Sequence, residues 1–334
     1  LELKHLSKTR RSIEALCAYS LITLAVVAKC LASTPEDGST RNRSAHHDQY
    51  ITVEGAKLHY VEAGSGQPVI LLHGNDGTLL DFTMSIFDRI ATKYRTIAID
   101  RPGHGASGNP KHSVATPEVQ ARMLHLAMKE LKISRPLIVA HSWSGALGLS
   151  YALQFPGDLC GLVVLSGMAY DTKEGAARPS YYAVKFPVAG TALALAYKYV
   201  GRGDVERQLE KAFSPEPAPK EYVDRFCAQL FRISQLKAAA RDEITLNPAL
   251  RKMKKQYRTL DLPVVILCGD QDKLVTPSLH SYPLHEAIPE SKLLVVKGAG
   301  HELSFTRPDD VMQAIELAQE MAASSHKIEQ RTEP

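Results

Sequence analysis

The chain has 334 residues, 44% of them hydrophobic and 23% charged, with a formal net charge of +4. That length and composition allow a full buried core and exclude a wholly disordered or collagen-like chain. Residues 1–32 hold five Lys/Arg against two Asp/Glu, so the remainder is close to neutral at about +1 and offers no basic footprint for nucleic acid.

At the N-terminus, Lys4, Lys8, Arg10 and Arg11 precede the apolar run Leu16–Ala28, and the small residues Ala32-Ser33 follow. This pattern predicts an export signal over residues 1–33, or an uncleaved anchor that associates with a membrane through residues 13–32. The protein is therefore expected to be exported or membrane-anchored. The apolar core is short for a spanning helix, which needs about 20 residues. Residues 34–48 are polar and read as a flexible linker.

Two strands, Gln49–Val53 and Lys57–Glu62, come next, joined by the turn Glu54-Gly55-Ala56. Val69-Ile70-Leu71-Leu72 is a short apolar strand that turns out through His73-Gly74-Asn75. The spacing of Phe82, Ile86, Phe87 and Ile90 predicts a helix over Asp81–Lys93. Arg95–Ile99 is a strand, and Asp100-Arg101-Pro102-Gly103-His104-Gly105-Ala106-Ser107 after it is an irregular structural loop, with no chemical role for His104. Thr116-Pro117-Glu118 opens a helix running to about Leu131.

Leu137-Ile138-Val139 is a buried strand that ends abruptly at Ala140-His141-Ser142-Trp143-Ser144-Gly145. Gly161–Leu165 is a further strand. Alternation then stops between Tyr170 and Thr259, where helical patterns cover Thr191–Val200, Val205–Phe213 and Tyr222–Leu236, divided by Pro215-Glu216-Pro217-Ala218-Pro219. Some 90 residues are too many for an ordinary loop. Alternation resumes with Leu262–Cys268, followed by Gly269-Asp270-Gln271-Asp272. Thr276-Pro277 then opens a helix, and the strand Lys292–Val296 leads into Gly298-Ala299-Gly300-His301. Pro308-Asp309-Asp310 opens the final helix, and the polar residues 325–334 read as a disordered tail. Strands alternating with helices predict an α/β fold with a mainly parallel sheet covered on both faces.

Ser142 sits where a strand turns sharply into a helix, which exposes a serine hydroxyl above the sheet. A serine hydroxyl is a weak nucleophile until a base takes its proton and a third group orients that base. Asp272 (with Asp270 competing) and His301 each lie just past the C-terminal end of a predicted strand, where open parallel sheets place their sites. No cysteine or histidine spacing resembles a zinc site, and no glycine-rich nucleotide loop opens a helix. Cys160 and Cys268 adjoin core strands and read as small buried hydrophobes.

Taken together, Leu71-Leu72-His73-Gly74-Asn75, Asp100–Gly105, the turn at Ser142 and the Asp272 and His301 segments resemble the α/β-hydrolase-fold superfamily. The likeness covers roughly residues 49–322, to a serine-nucleophile, esterase- or lipase-like member. It implies an eight-stranded, mainly parallel sheet flanked by helices, a core over 49–170 and 260–324, and a helical cap over 171–259 inserted after strand 6. It implies a catalytic Ser142, His301 and Asp272, the last preferred to Asp270, and backbone N–H groups of Asn75 and Trp143 as the oxyanion hole. No metal or cofactor is implied. The family pattern has glycine where this chain has Ala140 and Ser144.

The expected activity is cleavage of a carboxylic ester through an acyl-enzyme. Carbon–carbon bond hydrolases, cofactor-free haloperoxidases, aminopeptidases and acyltransferases use the same triad and are the alternatives, with a non-catalytic binding protein behind them. Ser142 argues against the members that use an Asp nucleophile. The expected partner is a small molecule with an apolar acyl or aromatic group, suited by the cap aromatics Tyr181, Tyr182, Phe186, Tyr197, Tyr199, Phe213, Tyr222, Phe226 and Phe231. An aminopeptidase would need a cap carboxylate, for which Glu174, Glu206 and Glu221 are candidates.

Overall fold

A computed structural model describes residues 46–109 and 116–332, with side chains described through residue 324. The predicted signal or anchor and most of the predicted linker lie outside the described residues. Among the described residues, no helix is long and apolar enough to cross a membrane.

Eight strands form one sheet: β1 (Gln49–Val53), β2 (Ala56–Ala63), β3 (Pro68–Leu72), β4 (Arg95–Ile99), β5 (Leu137–His141), β6 (Gly161–Leu165), β7 (Val264–Gly269) and β8 (Lys292–Val296). Their spatial order is β1-β2-β4-β3-β5-β6-β7-β8. The β1–β2 and β2–β4 pairings are antiparallel and all others are parallel. The β1–β2 turn places Glu54 at φ 49° and Gly55 at φ 77°, the double left-handed geometry of a tight hairpin.

The central strands are apolar because both of their faces are covered. Ile70, Leu72, Ile138, Val164 and Ile266 enter one core cluster. Their neighbours Leu71, Val139, Val163, Leu165, Val265 and Leu267 enter the other. Alternate residues of a strand thus feed opposite faces. The first cluster packs under α3 (Pro117–Glu130) and α4 (Ser144–Gln154), through residues such as Leu124, Met128, Ala146 and Leu149. The second packs under two short helices, α1 (Leu80–Thr83) and α2 (Phe87–Ala91), and the C-terminal helix, through Phe82, Phe87, Val311 and Ile315. Thr116 caps α3 by accepting from the Val119 N–H, with Pro117 in the first turn.

Between β6 and β7 lie a 3-10 helix (Pro179–Lys185) and four α-helices: α5 (Pro187–Val200), α6 (Arg202–Phe213), α7 (Lys220–Leu230) and α8 (Ile233–Met253). They bury a small core of their own around Val205, Leu209, Phe213, Tyr222 and Leu230.

Four boundaries differ from the sequence reading. The helix expected over Asp81–Lys93 is broken into α1 and α2, where the Ser85 hydroxyl donates to the carbonyls of Asp81 and Phe82 and competes with the helix ladder. The helix expected over Tyr222–Leu236 breaks at Arg232, which is extended (φ −72°, ψ 133°) while its guanidinium donates to the Gly105 carbonyl at 2.8 Å. No helix starts at Pro277; α9 spans Ser281–Ala287, because the Thr276 hydroxyl is turned to Glu174 rather than back onto the chain. The tail expected to be disordered from residue 325 is instead helical: α11 runs from Pro308 to Thr332, its polar end rich in residues that tolerate a helix well. A single-turn α10 (Leu303–Thr306) precedes it.

His59 on β2 ties the sheet edge to the loop after β4. Its Nδ1 lies 2.7 Å from Asp100 and its Nε2 3.0 Å from Asp48. Burial pushes its pKa down, but the hydrogen bonds and charges of Asp100 and Asp48 outweigh this, and the net shift is upward. A raised folded-state value means protonated His59 stabilises the fold fully below its unfolded pKa of about 6.5, and this contribution is lost as pH rises through the folded value. Denaturant unfolding between about pH 6 and pH 9 should show that loss in the wild type, and His59→Gln should lack that component of the pH dependence.

Candidate active site

Ser142 follows β5 at a φ of 55°, a left-handed conformation that a residue with a side chain adopts only under constraint. Three backbone bonds supply the constraint. The Ser142 N–H donates to the Leu165 carbonyl (3.0 Å), and the Ser142 carbonyl accepts from Gly145 and Met168 (2.9 Å each). A Cβ on Gly145 would stand 2.7 Å from the Gly167 Cα, so only glycine lets α4 lie this close to the loop after β6. Where the family pattern has a further glycine, Ser144 is fully buried and its hydroxyl donates to the His73 carbonyl.

The turn after β3 comes up against this serine. A Cβ on Gly74 would lie 3.2 Å from Ser142 Cβ and 3.5 Å from its Oγ. Asn75 therefore follows within one residue of the hydroxyl, and Trp143 stands at the N-terminus of α4.

Asp272 and His301, 29 positions apart, are brought together from the loops after β7 and β8, with His301 Nδ1 2.7 Å from Asp272 Oδ2. The other carboxylate oxygen accepts from the N–H groups of Leu274 (2.8 Å) and Val275 (2.9 Å). Asp270 points elsewhere and accepts from the Gly298 N–H at 2.7 Å, a turn role. The His301 N–H donates to the Ala212 carbonyl at the end of α6, at 3.0 Å.

Electrostatics sort the buried histidines. His301 is pushed down by burial but lifted further by the charge and hydrogen bond of Asp272, so its pKa stands above the ordinary value. Asp272, although burial raises it, is held low by His301 and the two backbone donors. His141 falls to about 3 through burial and the adjacent His301. His73 and His104 are driven well below the ordinary value by burial and by Arg101. One imidazole of the four is therefore poised to hold a proton.

Ser142, His141, His301, Gly74, Asn75 and Trp143 line one cavity of about 380 Å³. Helices between β6 and β7 close it with Leu193, Ala194, Leu209, Leu230 and Leu246, and with Tyr181, Tyr197, Tyr222 and Phe226. Other expected cap aromatics, Tyr182, Phe186 and Tyr199, are exposed, and Phe213 is buried. Of the three cap carboxylates considered, Glu174 lines the cavity but is engaged by Thr276. Glu206 and Glu221 make surface ion pairs with Arg202 and Arg225.

Several residues at this site carry no motif. Asp81, Glu243 and Glu302 also line the cavity. Burial pushes the Asp81 carboxyl to about 8, aided by the charge of Glu302, while the Tyr222 hydroxyl donates to it. Glu243 is likewise raised to about 8, first by burial. Beneath the cavity Arg101 is fully buried and bonds to nearly everything around it. Its side chain donates to the carbonyls of His73 (3.1 Å) and Gly74 (2.7 Å), to Gln120 (3.1 Å) and to the Asp242 carboxylate, and it stacks on the Trp143 ring at 4.2 Å. The one sequence signal for Asp242 is its place one turn after the run Ala238-Ala239-Ala240, a helix face built for close packing.

A family model for the alpha/beta hydrolase fold matches residues 67–308. A 2-hydroxy-6-oxo-6-(2'-aminophenyl)hexa-2,4-dienoic acid hydrolase of Metapseudomonas resinovorans is 26% identical over 294 residues, covering 84% of this chain and 93% of that protein. A cis-3-alkyl-4-alkyloxetan-2-one decarboxylase of Shewanella oneidensis is 24% identical over 284 residues, 80% of this chain and 86% of its own length. The structure of a thermophilic esterase from Thermogutta terrifontis superposes with a TM-score of 0.65 at 20% identity, over 81% of this chain and 97% of that one. The chain belongs to the α/β-hydrolase fold family, and it is a hydrolase of that family.

The buried Arg101–Asp242 pair generates a stability prediction. Burial pushes the Asp242 carboxyl up to about 6 while the guanidinium opposes this, so the pair is charged at neutral pH. Removing one partner from such a pair costs about 3–5 kcal/mol. Asp242→Ala should lose stability on that scale in urea unfolding, and the apolar double substitution Arg101→Met with Asp242→Leu should lose less than the sum of the two singles.

Proposed function

We propose that this protein is a serine hydrolase of carboxylic esters. On this reading Ser142 Oγ attacks the ester carbonyl and His301 accepts its proton. The alkoxide leaving group departs with that proton, and an acyl-Ser142 ester remains. Water, deprotonated by His301, then releases the carboxylic acid and restores the serine. Asp272 keeps His301 in the tautomer with its proton on Nδ1 and stabilises the imidazolium. The N–H groups of Asn75 and Trp143 receive the oxyanion, each donor contributing roughly 3–4 kcal/mol, and the N-terminus of α4 adds its dipole.

The observation that carries this reading is the left-handed Ser142 lining the same cavity as His301, which is hydrogen-bonded to Asp272. The leucines and aromatic rings of the cavity wall support an apolar or aromatic acyl group as the substrate class.

Fluorophosphonate labelling and turnover of short- and long-chain p-nitrophenyl esters test it. The wild type should label on Ser142 and hydrolyse esters, and Ser142→Ala should lose both. Asp272→Asn should keep the fold and lower kcat by roughly 10³–10⁴. A folded wild type that neither labels nor turns over any ester would falsify the reading.

A further inference from the structure

Three side chains in the cavity bring donor atoms together: His141, His301 and Glu302 are all buried, and one donor atom from each lies within 4.8 Å of the others. Glu302 is 7% exposed, and its Oε2 is buried with no hydrogen-bond partner. A carboxylate removed from water without a partner is costly, so it calls for a cation or a donor that the fold itself does not supply. Neither ester hydrolysis nor the packing of α10 makes use of it.

Each imidazole meets an acceptor through one ring nitrogen. His301 gives Nδ1 to the Asp272 carboxylate at 2.7 Å, and His141 Nε2 lies 3.4 Å from the His301 carbonyl. That is the outer-shell pattern of metal-binding histidines, in which one nitrogen is oriented by a carboxylate or carbonyl and the other keeps its lone pair. The rings stand 4.8 Å apart by centroid.

The geometry is within reach of an ion. For three donors no more than 4.8 Å apart, a central ion is at most about 2.8 Å from each, and bonds of about 2.0–2.2 Å need each side chain to close by under an ångström. Two nitrogens and one carboxylate oxygen are the donor set of open zinc sites, whereas magnesium and calcium take oxygen ligands.

We propose that His141, His301 and Glu302 form a zinc(II) site, and that an ion bound there takes the His301 lone pair and so reversibly inhibits the hydrolase. Occupation forms three coordinate bonds, releases to solvent any proton held on His301 or Glu302, and oxidises nothing. Inhibition rests on the serine-hydrolase reading; binding does not.

The test uses tag-free full chain, stripped with a chelator. Zinc is titrated against a chromophoric chelator, and cobalt(II) is followed by its visible absorption. The wild type and Ser142→Ala should each bind one equivalent, cobalt giving the intense bands of a four-coordinate ion. Glu302→Gln, checked for folding by circular dichroism, should lose at least about tenfold in affinity, and His141→Asn provides the same reading if the first variant misfolds. Zinc should suppress fluorophosphonate labelling of the wild type at concentrations that leave labelling of Glu302→Gln, relative to its own metal-free level, unaffected. Absence of stoichiometric binding to the wild type, or wild-type affinity in both variants, overturns the site. Binding without labelling of even the metal-free protein supports the site and overturns the serine-hydrolase reading instead.

Discussion

One guanidinium holds the working end of this molecule together. Arg101 enters from the loop after β4 and spends its donors on the carbonyls of the turn after β3, on Gln120 of α3 and on Asp242 of α8. Gln120 in turn donates to the second Asp242 oxygen at 2.9 Å. The Arg101 N–H donates to His73 Nε2 at 2.9 Å, and His73 Nδ1 meets the Gly74 carbonyl at 2.8 Å, which sets that imidazole's tautomer. The turn beside Ser142, the helix opened by Trp143 and the helical layer above the cavity therefore share one anchor. Such a charge survives burial only because its donors are satisfied, and its satisfaction is what ties these elements to one another.

The same charge shapes the chemistry around it. Burial, reinforced by Arg101 at His73 and His104 and by His301 at His141, keeps three imidazoles neutral. His301, hydrogen-bonded to the Asp272 carboxylate, is the one of the four that is raised, whereas His104, with Asp242 3.5 Å away, is still driven down by burial and Arg101. Four histidines crowd one end of the sheet, and the one that is raised is the one hydrogen-bonded to Asp272. Composition could not separate them; position after β8 did.

What the sequence made legible follows the same division between local and distant causes. The strands were readable because sheet residues buried on both faces must be apolar: Leu137–Val139 and Val264–Cys268 fall in β5 and β7. The sharp turn at Ser142 and the strand-end positions of Asp272 and His301 were readable for a similar reason, since a loop that leaves a parallel strand points its residues at one edge. The breaks at Ser85 and Arg232 were not, because each depends on where one side chain finds a carbonyl, in the second case 127 positions away. Arg101 and Asp242 are 141 positions apart, and neither carries a periodic signal. Glu302 carries no pattern in the sequence, and its unpartnered oxygen shows only once the chain is packed.

That burial leaves the cavity with a chemical bias. Its wall is apolar in area, yet Asp76, Asp81, Glu243 and Glu302 stand in it, each with its carboxyl pushed upward chiefly by burial. Groups in that state take up a proton or pair with a cation at little cost, and resist any further negative charge. An ester is neutral on entry, so the wall does not oppose its binding. On the proposed reading the product is a carboxylic acid, which at neutral pH ionises beside these four groups. Asp81 and Glu243, raised to about 8, hold their protons at neutral pH and so do not repel it by charge; the same poor solvation that raises them disfavours the product's own charge, so the step that makes the product anionic also weakens its hold on the site. On that reading, the two N–H groups that would receive a transient oxyanion are set within a wall that disfavours a lasting one.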